Sequence, residues 1–490
     1  MVAQAYAAHF NEEGLSYCNA ETARIFIEEV MERAPKPQGA TLLDAFNPIL
    51  ELGAATPETK KLLAELAKIV NQMGLGELLV RHDKRVIGTL FADFVSSVNS
   101  PKRDSRSVVF VAHAPYFLIL REAMYLRRNG HRVFLATLGQ IPENLKGIFK
   151  ANFDGIVDAR GNFRLLRSLL AELGPDVFHV QCWMWYTVLG RLAIESKGLA
   201  AVVCEFYDIT SVYAERDLLC GNWPAGVVDF DFAMERYILH HADAVITRFP
   251  ADVVAEWRDR HGAMPLHIRM HAYPCPEFID YGASKLSDGD GVTRLVYAGG
   301  LIPLDGRNPP ALFPETGMPG AFRILLEQGF AIDILQDPHS PLAADDARYA
   351  DYIELARKYR RLGFVEGVSP DRLAAKLAVY DYGILLFDYD PGVVRIRDSQ
   401  RRGVVATKIF AYLEAGLPVL VNAEYDEMSR ILNEHGIGLA VHSSELGSVA
   451  ELLKGFDYQK TVDNIRRFNE QHGMDREIHR LIELYDKISA

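Results

Sequence analysis

The sequence predicts an α/β protein with two Rossmann-like, doubly wound parallel sheets in series, facing a cleft and preceded by a helical N-terminal extension. Three observations carry this expectation. Short continuous apolar runs alternate with helical stretches from about residue 106 to the C-terminus, as strands buried on both faces require. The alternation breaks once, at the polar stretch 281–293, whose Asp288-Gly289-Asp290-Gly291 reads as an interdomain linker. The length of 490 residues also exceeds one hydrophobic core, since cores stop growing near about 250–300 residues.

The first hundred residues read as helical. Over 56–80, Leu62, Leu63, Leu66, Ile69, Val70 and Met73 share one helical face. Thr56 and Pro57 suit its start, and Gly74 and Gly76 are expected to stop it. A second amphipathic helix is expected over 21–33. Asn99-Ser100-Pro101-Lys102-Arg103-Asp104-Ser105-Arg106 then forms a polar boundary. After it come the strands Val108-Val109-Phe110-Val111-Ala112, Arg132-Val133-Phe134-Leu135-Ala136, Gly155-Ile156-Val157, Asp176-Val177-Phe178-His179-Val180, Ala201-Val202-Val203-Cys204 and Ala244-Val245-Ile246-Thr247. Helices are expected between them over 121–129, 164–173, 186–196 and 232–241.

Arg294-Leu295-Val296-Tyr297-Ala298 opens the second sheet. Ala331-Ile332-Asp333-Ile334-Leu335, Tyr382-Gly383-Ile384-Leu385-Leu386 and Pro418-Val419-Leu420-Val421 continue it, with helices over 321–328, 347–360, 370–378 and 407–415. A last helix carries Ile478, Leu481, Ile482, Tyr485 and Ile488 on its apolar face. The expected domains are 1–104, 105–285, 286–460 and a closing helix over 461–490. Ligands of open parallel sheets sit at the carboxyl ends of strands, so the expected site is the cleft between the two sheets.

Composition narrows the function. The chain is 49% hydrophobic and 24% charged, which excludes a disordered or collagen-like chain. Fifty-three basic against 65 acidic residues leave a net charge of −12, so no nucleic-acid partner is expected. Five scattered cysteines without CxxC spacing read as reduced thiols and not as a disulfide framework or zinc site. Neither a signal peptide nor an integral membrane segment is visible, and the expected location is cytoplasmic. Neither G-x-G-x-x-G nor G-x-x-x-x-G-K-[ST] follows a strand, which disfavours dinucleotide oxidoreductases and P-loop NTPases.

The most informative stretch is Thr407-Lys408-Ile409-Phe410-Ala411-Tyr412-Leu413-Glu414-Ala415-Gly416-Leu417-Pro418-Val419. It resembles the donor-binding helix and following strand of GT-B glycosyltransferases of the group-1, family-four-like, retaining branch. Phe364-Val365-Glu366-Gly367-Val368 with Tyr380-Asp381-Tyr382-Gly383-Ile384 resembles a second segment of that family. Asp176-Val177-Phe178-His179 and Ala242-Asp243-Ala244-Val245-Ile246-Thr247 resemble two of its first-domain strands. The resemblance covers about residues 106–490. It implies a metal-independent, retaining transfer of a sugar from a nucleotide-sugar co-substrate, with no cofactor, to a saccharide, lipid-linked or protein acceptor. Homo-oligomers through the N-terminal helices are a further expectation. The alternatives are a GT-B-fold sugar-nucleotide epimerase and a catalytically silent scaffold that binds a partner.

For the donor, the resemblance points to Gly299, Gly300, Gly367, Val368, Thr407, Lys408 and Glu414. The physical logic is a helix N-terminus and a lysine facing a diphosphate, with glycines allowing close backbone approach. Arg395, Arg397, Arg401 and Arg402 form a cationic run, either a solvated loop or a basic lid over donor phosphates. Three places depart from the family pattern. Ala411 stands where a Glu usually holds the donor ribose. Gly300-Leu301 replaces Gly-Arg, leaving Arg307 as a substitute. Glu205-Phe206-Tyr207-Asp208 replaces a His-Asp pair. His113, Asp208 and Lys408 are the catalytic candidates. His113 ends the first strand facing the expected cleft, with a structural role as the alternative. Asp208 either caps the next helix or acts on the acceptor hydroxyl. Lys408 is implied to stabilise the leaving group. Trp183, Trp185 and Tyr186 stack on a sugar or pack internally.

Overall fold

Continuous apolar runs become strands covered on both faces, and they assemble into two parallel sheets. The computed structural model describes residues 76–101, 105–159, 163–282, 284–304, 308–338 and 346–489. The first sheet comprises β1 (Ser107–Ala112), β2 (Arg132–Thr137), β3 (Gly155–Asp158), β4 (Val177–Cys182), β5 (Ala201–Phe206), β6 (Ala244–Thr247) and β7 (Leu266–Arg269). The second comprises β8 (Arg294–Ala298), β9 (Ala331–Leu335), β10 (Leu362–Val365), β11 (Tyr382–Leu385), β12 (Val419–Asn422) and β13 (Gly438–Val441). Their orders are β3-β2-β1-β4-β5-β6-β7 and β10-β9-β8-β11-β12-β13. In each, the order reverses beside the first strand, between β1 and β4 and between β8 and β11, opening a crevice at the carboxyl ends.

Strand alternation builds the core. In β1, Val108, Phe110 and Ala112 face one apolar cluster while Val109 and Val111 face another, so the strand is buried throughout. The cluster on the Phe110 side continues through Leu118, Met124, Leu481 and Tyr485 into the second domain. The two domains therefore share a packed interior.

The N-terminal part differs from expectation where it is described. The helix expected over 21–33, and residues 56–75 of the next, lie outside the described residues. Gly76, expected to stop a helix, instead lies within a helical stretch described as Gly76–Leu90. Apolar residues after it are packed: Val86, Ile87, Phe91, Phe94 and Val98 are buried against the first sheet. That burial outweighs the roughly 1 kcal/mol that a helical glycine costs. Phe94 meets the Phe134 ring edge-on at 5.7 Å.

At the far end, helix Tyr458–Gln471 is followed by Met474–Ile488, which returns to the first domain and packs on helix Phe117–Arg128. Ile478, Leu481, Leu484 and Tyr485 are its buried face. No helix among the described residues is long and apolar enough to cross a membrane.

Candidate functional site

The strand ends of both sheets meet at a cleft of about 400 Å³. Tyr116, Trp183 and Tyr207 line it from the first domain, following β1, β4 and β5. Gly299, Gly300 and Asp337 line it from the ends of β8 and β9, with Val368, Thr407, Lys408 and Ala411 beside them. The first-domain wall is aromatic. Tyr116 stacks on Trp183 at 4.5 Å and Trp183 on Tyr207 at 4.5 Å. The two tyrosines cover Trp183 in this stack, so the first-domain wall is an aromatic block with two phenol hydroxyls.

Two cations line this cleft, Arg121, which is paired with Glu414, and Lys408. Lys408 opens helix Lys408–Glu414, and its ammonium lies 5.6 Å from the Tyr297 ring centre. Among the described residues no carboxylate lies within ion-pair distance of it, so its charge faces the cleft. Gly299 makes the room. Its φ is +130°, and a Cβ there would stand 2.5 Å from Lys408 Cε. Gly367 serves a different close approach: a Cβ would fall 2.1 Å from the Gln336 carbonyl oxygen, and the tight contact brings Val368 to the cleft edge. The Thr407 hydroxyl bonds Tyr207 Oη across the domains at 2.7 Å.

Asp208 follows the cleft-lining Tyr207 but does not itself line the cleft; it is a quarter exposed, with its Oδ1 3.8 Å from Arg248 Nη2. Burial holds its carboxyl above the ordinary carboxylate range, while Arg248 and Lys408 pull it back. Glu315 is raised for the same reason and feels both Lys408 and Asp208. Of the two roles expected for Asp208, capping is not seen, because Ile209 precedes helix Thr210–Tyr213 and provides no side-chain cap. Arg248 escaped sequence analysis, although it directly follows β6. Its guanidinium lies 3.5 Å above the Tyr207 ring and donates to the carbonyls of Val405 (2.9 Å) and Tyr207 (2.5 Å).

Several expected site residues stand elsewhere. His113 does not reach the cleft wall. Its ring stacks on Tyr186 at 3.9 Å and its Nε2 pairs with the Tyr116 hydroxyl, so Tyr116 stands between it and the cleft. Burial lowers its pKa to about 4, which keeps the imidazole neutral. Glu414 is fully buried beneath the cleft. It takes a bidentate pair from Arg121 (2.5 and 2.9 Å) and the Cys275 backbone N–H (2.6 Å), which leaves it no freedom to hold a ribose.

None of Arg395, Arg397, Arg401 and Arg402 lines the cleft. Arg395 is exposed and folds onto the carbonyls of Pro391, Gly392 and Val394 in its own loop. Arg397 pairs with Glu215 at 2.5 Å, Arg401 with Asp398 and Asp426, and Arg402 with Asp398, Asp252 and Glu256. Arg397, Arg401 and Arg402 are thus paired with carboxylates, Arg395 is not, and the structure forms helix Asp398–Gly403 where a loop was expected. Arg307 lies outside the described residues. Trp185, at φ 70°, packs on Trp223 at 4.7 Å, and only Trp183 of its aromatic trio lines the cleft.

Comparison with solved structures places this geometry. Anabaena HepE in complex with UDP-glucose superposes with a TM-score of 0.54 at 13% identity, over 78% of this chain and 98% of that one. The fold is GT-B. HepE in complex with UDP and glucose gives the same TM-score, 0.54, at 14% identity, over 78% of this chain and 100% of that one. A Thermobaculum terrenum O-GlcNAc transferase mutant is similar at 13% identity with a TM-score of 0.47, over 84% of this chain and 74% of that one. The family described as Glucosyltransferase 3-like, C-terminal domain, matches residues 347–474, which include most of the second GT-B sheet and the Lys408 helix. The chain is thus glycosyltransferase-like at the level of its GT-B second domain. No curated protein matches the sequence.

Proposed function

We propose that the protein transfers a sugar from a nucleoside-diphosphate sugar to an acceptor bound on the aromatic wall of the cleft. The observation that carries this is Lys408, held by Gly299 with its ammonium turned into an interdomain cleft and paired with no carboxylate among the described residues. A cation placed so, in a site of low dielectric, suits a diphosphate whose charge grows as the glycosidic bond breaks. The anomeric carbon–oxygen bond to the diphosphate breaks, the acceptor oxygen bonds that carbon, and the acceptor's proton leaves to a base. Asp208, next to the cleft-lining Tyr207 and with its carboxyl raised by burial, is the base we assign to that proton, and Glu315 is a second raised acid that feels Lys408. The family resemblance supports retention of configuration. Lys408 takes the leaving group's charge in this scheme, so turnover is expected to persist with chelator present.

A uridine nucleotide is the first donor to test, because HepE was solved with UDP-glucose. Thermal denaturation against a panel of nucleoside diphosphates and their sugars is the direct measurement. Ligand at about 100 times Kd adds about 2.7 kcal/mol of stability. Lys408→Ala is expected to erase most of that shift, and an equal shift in the variant would displace the phosphates from Lys408.

One observation favours a second reading. Ala411 lines the cleft where the family resemblance expects a ribose-binding carboxylate, which suits a scaffold without turnover. Nucleotide binding without product from any donor and acceptor pair would select it.

A further inference from the structure

Three metal-ligating side chains converge between the first sheet and the helices that cover it. His179 lies on β4, Glu205 on β5 and Glu122 on helix Phe117–Arg128. The β4–β5 register pairs His179 with Val203 and Gln181 with Glu205, so His179, Gln181 and Glu205 project from one face of the sheet. The three side chains are 0%, 2% and 0% exposed for His179, Glu205 and Glu122. His179 Nε2 stands 3.4 Å from Glu205 Oε2 and 3.8 Å from Glu122 Oε2. These distances are too long for good hydrogen bonds. Nε2, both Glu122 oxygens and Glu205 Oε2 have no hydrogen-bond partner among the described residues, and no lysine or arginine there forms an ion pair with either carboxylate.

We propose that Glu122, His179 and Glu205 hold a structural divalent cation, zinc by the donor set, that ties the first sheet to helix Phe117–Arg128. One imidazole nitrogen with carboxylate oxygens is a zinc donor set, and bonds of about 2.0–2.2 Å place neighbouring donors of a tetrahedron about 3.4 Å apart. The three donor atoms lie within 4.8 Å of one another. The imidazole is prepared for the role: His179 Nδ1 lies 2.6 Å from Tyr485 Oη, and an N–H given to that oxygen leaves the Nε2 lone pair facing the carboxylates. Charge balances as well, since two carboxylates, a neutral imidazole and a divalent ion sum to zero. Gln181 has both amide atoms buried and unpartnered beside Glu205, and it offers a further oxygen. Through Tyr485 the site also reaches the C-terminal helix. None of its three ligands lines the catalytic cleft, and the proposal does not depend on the transferase reading.

The test uses the full-length, tag-free protein from cells supplied with zinc, dialysed against chelator while folded. Elemental analysis is expected to find about one zinc per chain. X-ray absorption is expected to show a nitrogen and oxygen shell with one imidazole and no sulfur. Glu122→Gln is expected to lose the ion and to melt several degrees lower. Wild-type protein without stoichiometric metal overturns the proposal and assigns the cluster to a shared proton or a buried water. Metal retained in Glu122→Gln, or a shell containing sulfur, overturns it too. If Glu122→Gln does not fold, the wild-type stoichiometry and its absorption spectrum decide.

Discussion

Lys408 and Gly299 act as a unit, because the missing side chain of one is the space occupied by the other. Gly299→Ala places a methyl on the lysine stem at a φ of +130°, a backbone region that only glycine adopts readily. The lysine can swing away, so nucleotide affinity is expected to fall more than stability. Calorimetric titration beside a melting curve separates the two, and unchanged affinity would show that the ammonium is not the phosphate contact. His113 supports the same wall from behind, and its protonation is a stability matter. Its folded pKa of about 4 lies below the unfolded value of about 6.5, so protons prefer the unfolded chain. The stabilisation is complete above about pH 6.5 and is lost as the pH falls towards about 4. His113→Gln keeps a partner for the Tyr116 hydroxyl and removes that titration. Its urea midpoint is expected to fall less across this window than that of the wild type. Parallel curves would mean that other histidines with lowered pKa, the half-buried His267 and the buried His271, carry the whole effect.

Among the secondary elements, legibility followed burial. Central strands such as β1, β4 and β5 are buried end to end and appear as uninterrupted apolar runs. β7 and β13 are edge strands with partly exposed residues, and neither showed in the sequence. The Lys408 helix was legible from its motif, whereas the destination of Glu414 was not. Arg121 lies 293 residues from Glu414, and no local pattern links them. Their pair is buried, with side chains 6% and 1% exposed. Removing one partner strands a charge, at a cost of about 3–5 kcal/mol. Glu414→Leu is therefore expected to destabilise the protein by that order in denaturant titrations. Arg121→Met in the same chain is expected to return much of the loss. Equal losses in the single and double variants would show that the Cys275 N–H bond and packing matter more than the pair.

Across the whole molecule, the basic run illustrates why charge read along a sequence misleads. Arg402 belongs to the second domain's approach to the Lys408 helix, yet Asp252 and Glu256 belong to the first domain. Arg397 reaches Glu215 in the same manner. Two of the cations that suggested a lid over phosphates, Arg397 and Arg402, instead fasten one half of the cleft to the other. Each pair is partly exposed, so each contributes only about 0–1 kcal/mol and is screened by salt. Contributions of that size hardly affect unfolding but are large enough to shift an equilibrium between open and closed domains. Arg397→Ala with Arg402→Ala is therefore expected to lower Tm only slightly. The same variant is expected to weaken nucleotide binding by about two- to tenfold, because less of the chain is closed before ligand arrives. Added salt should weaken wild-type binding towards the variant's value while leaving the variant less affected. Small-angle scattering without ligand should show the variant more extended. If affinity, salt response and scattering all match the wild type, the arginines hold the surface together without governing the cleft, and closure rests on Tyr207, Arg248 and the Arg121–Glu414 pair.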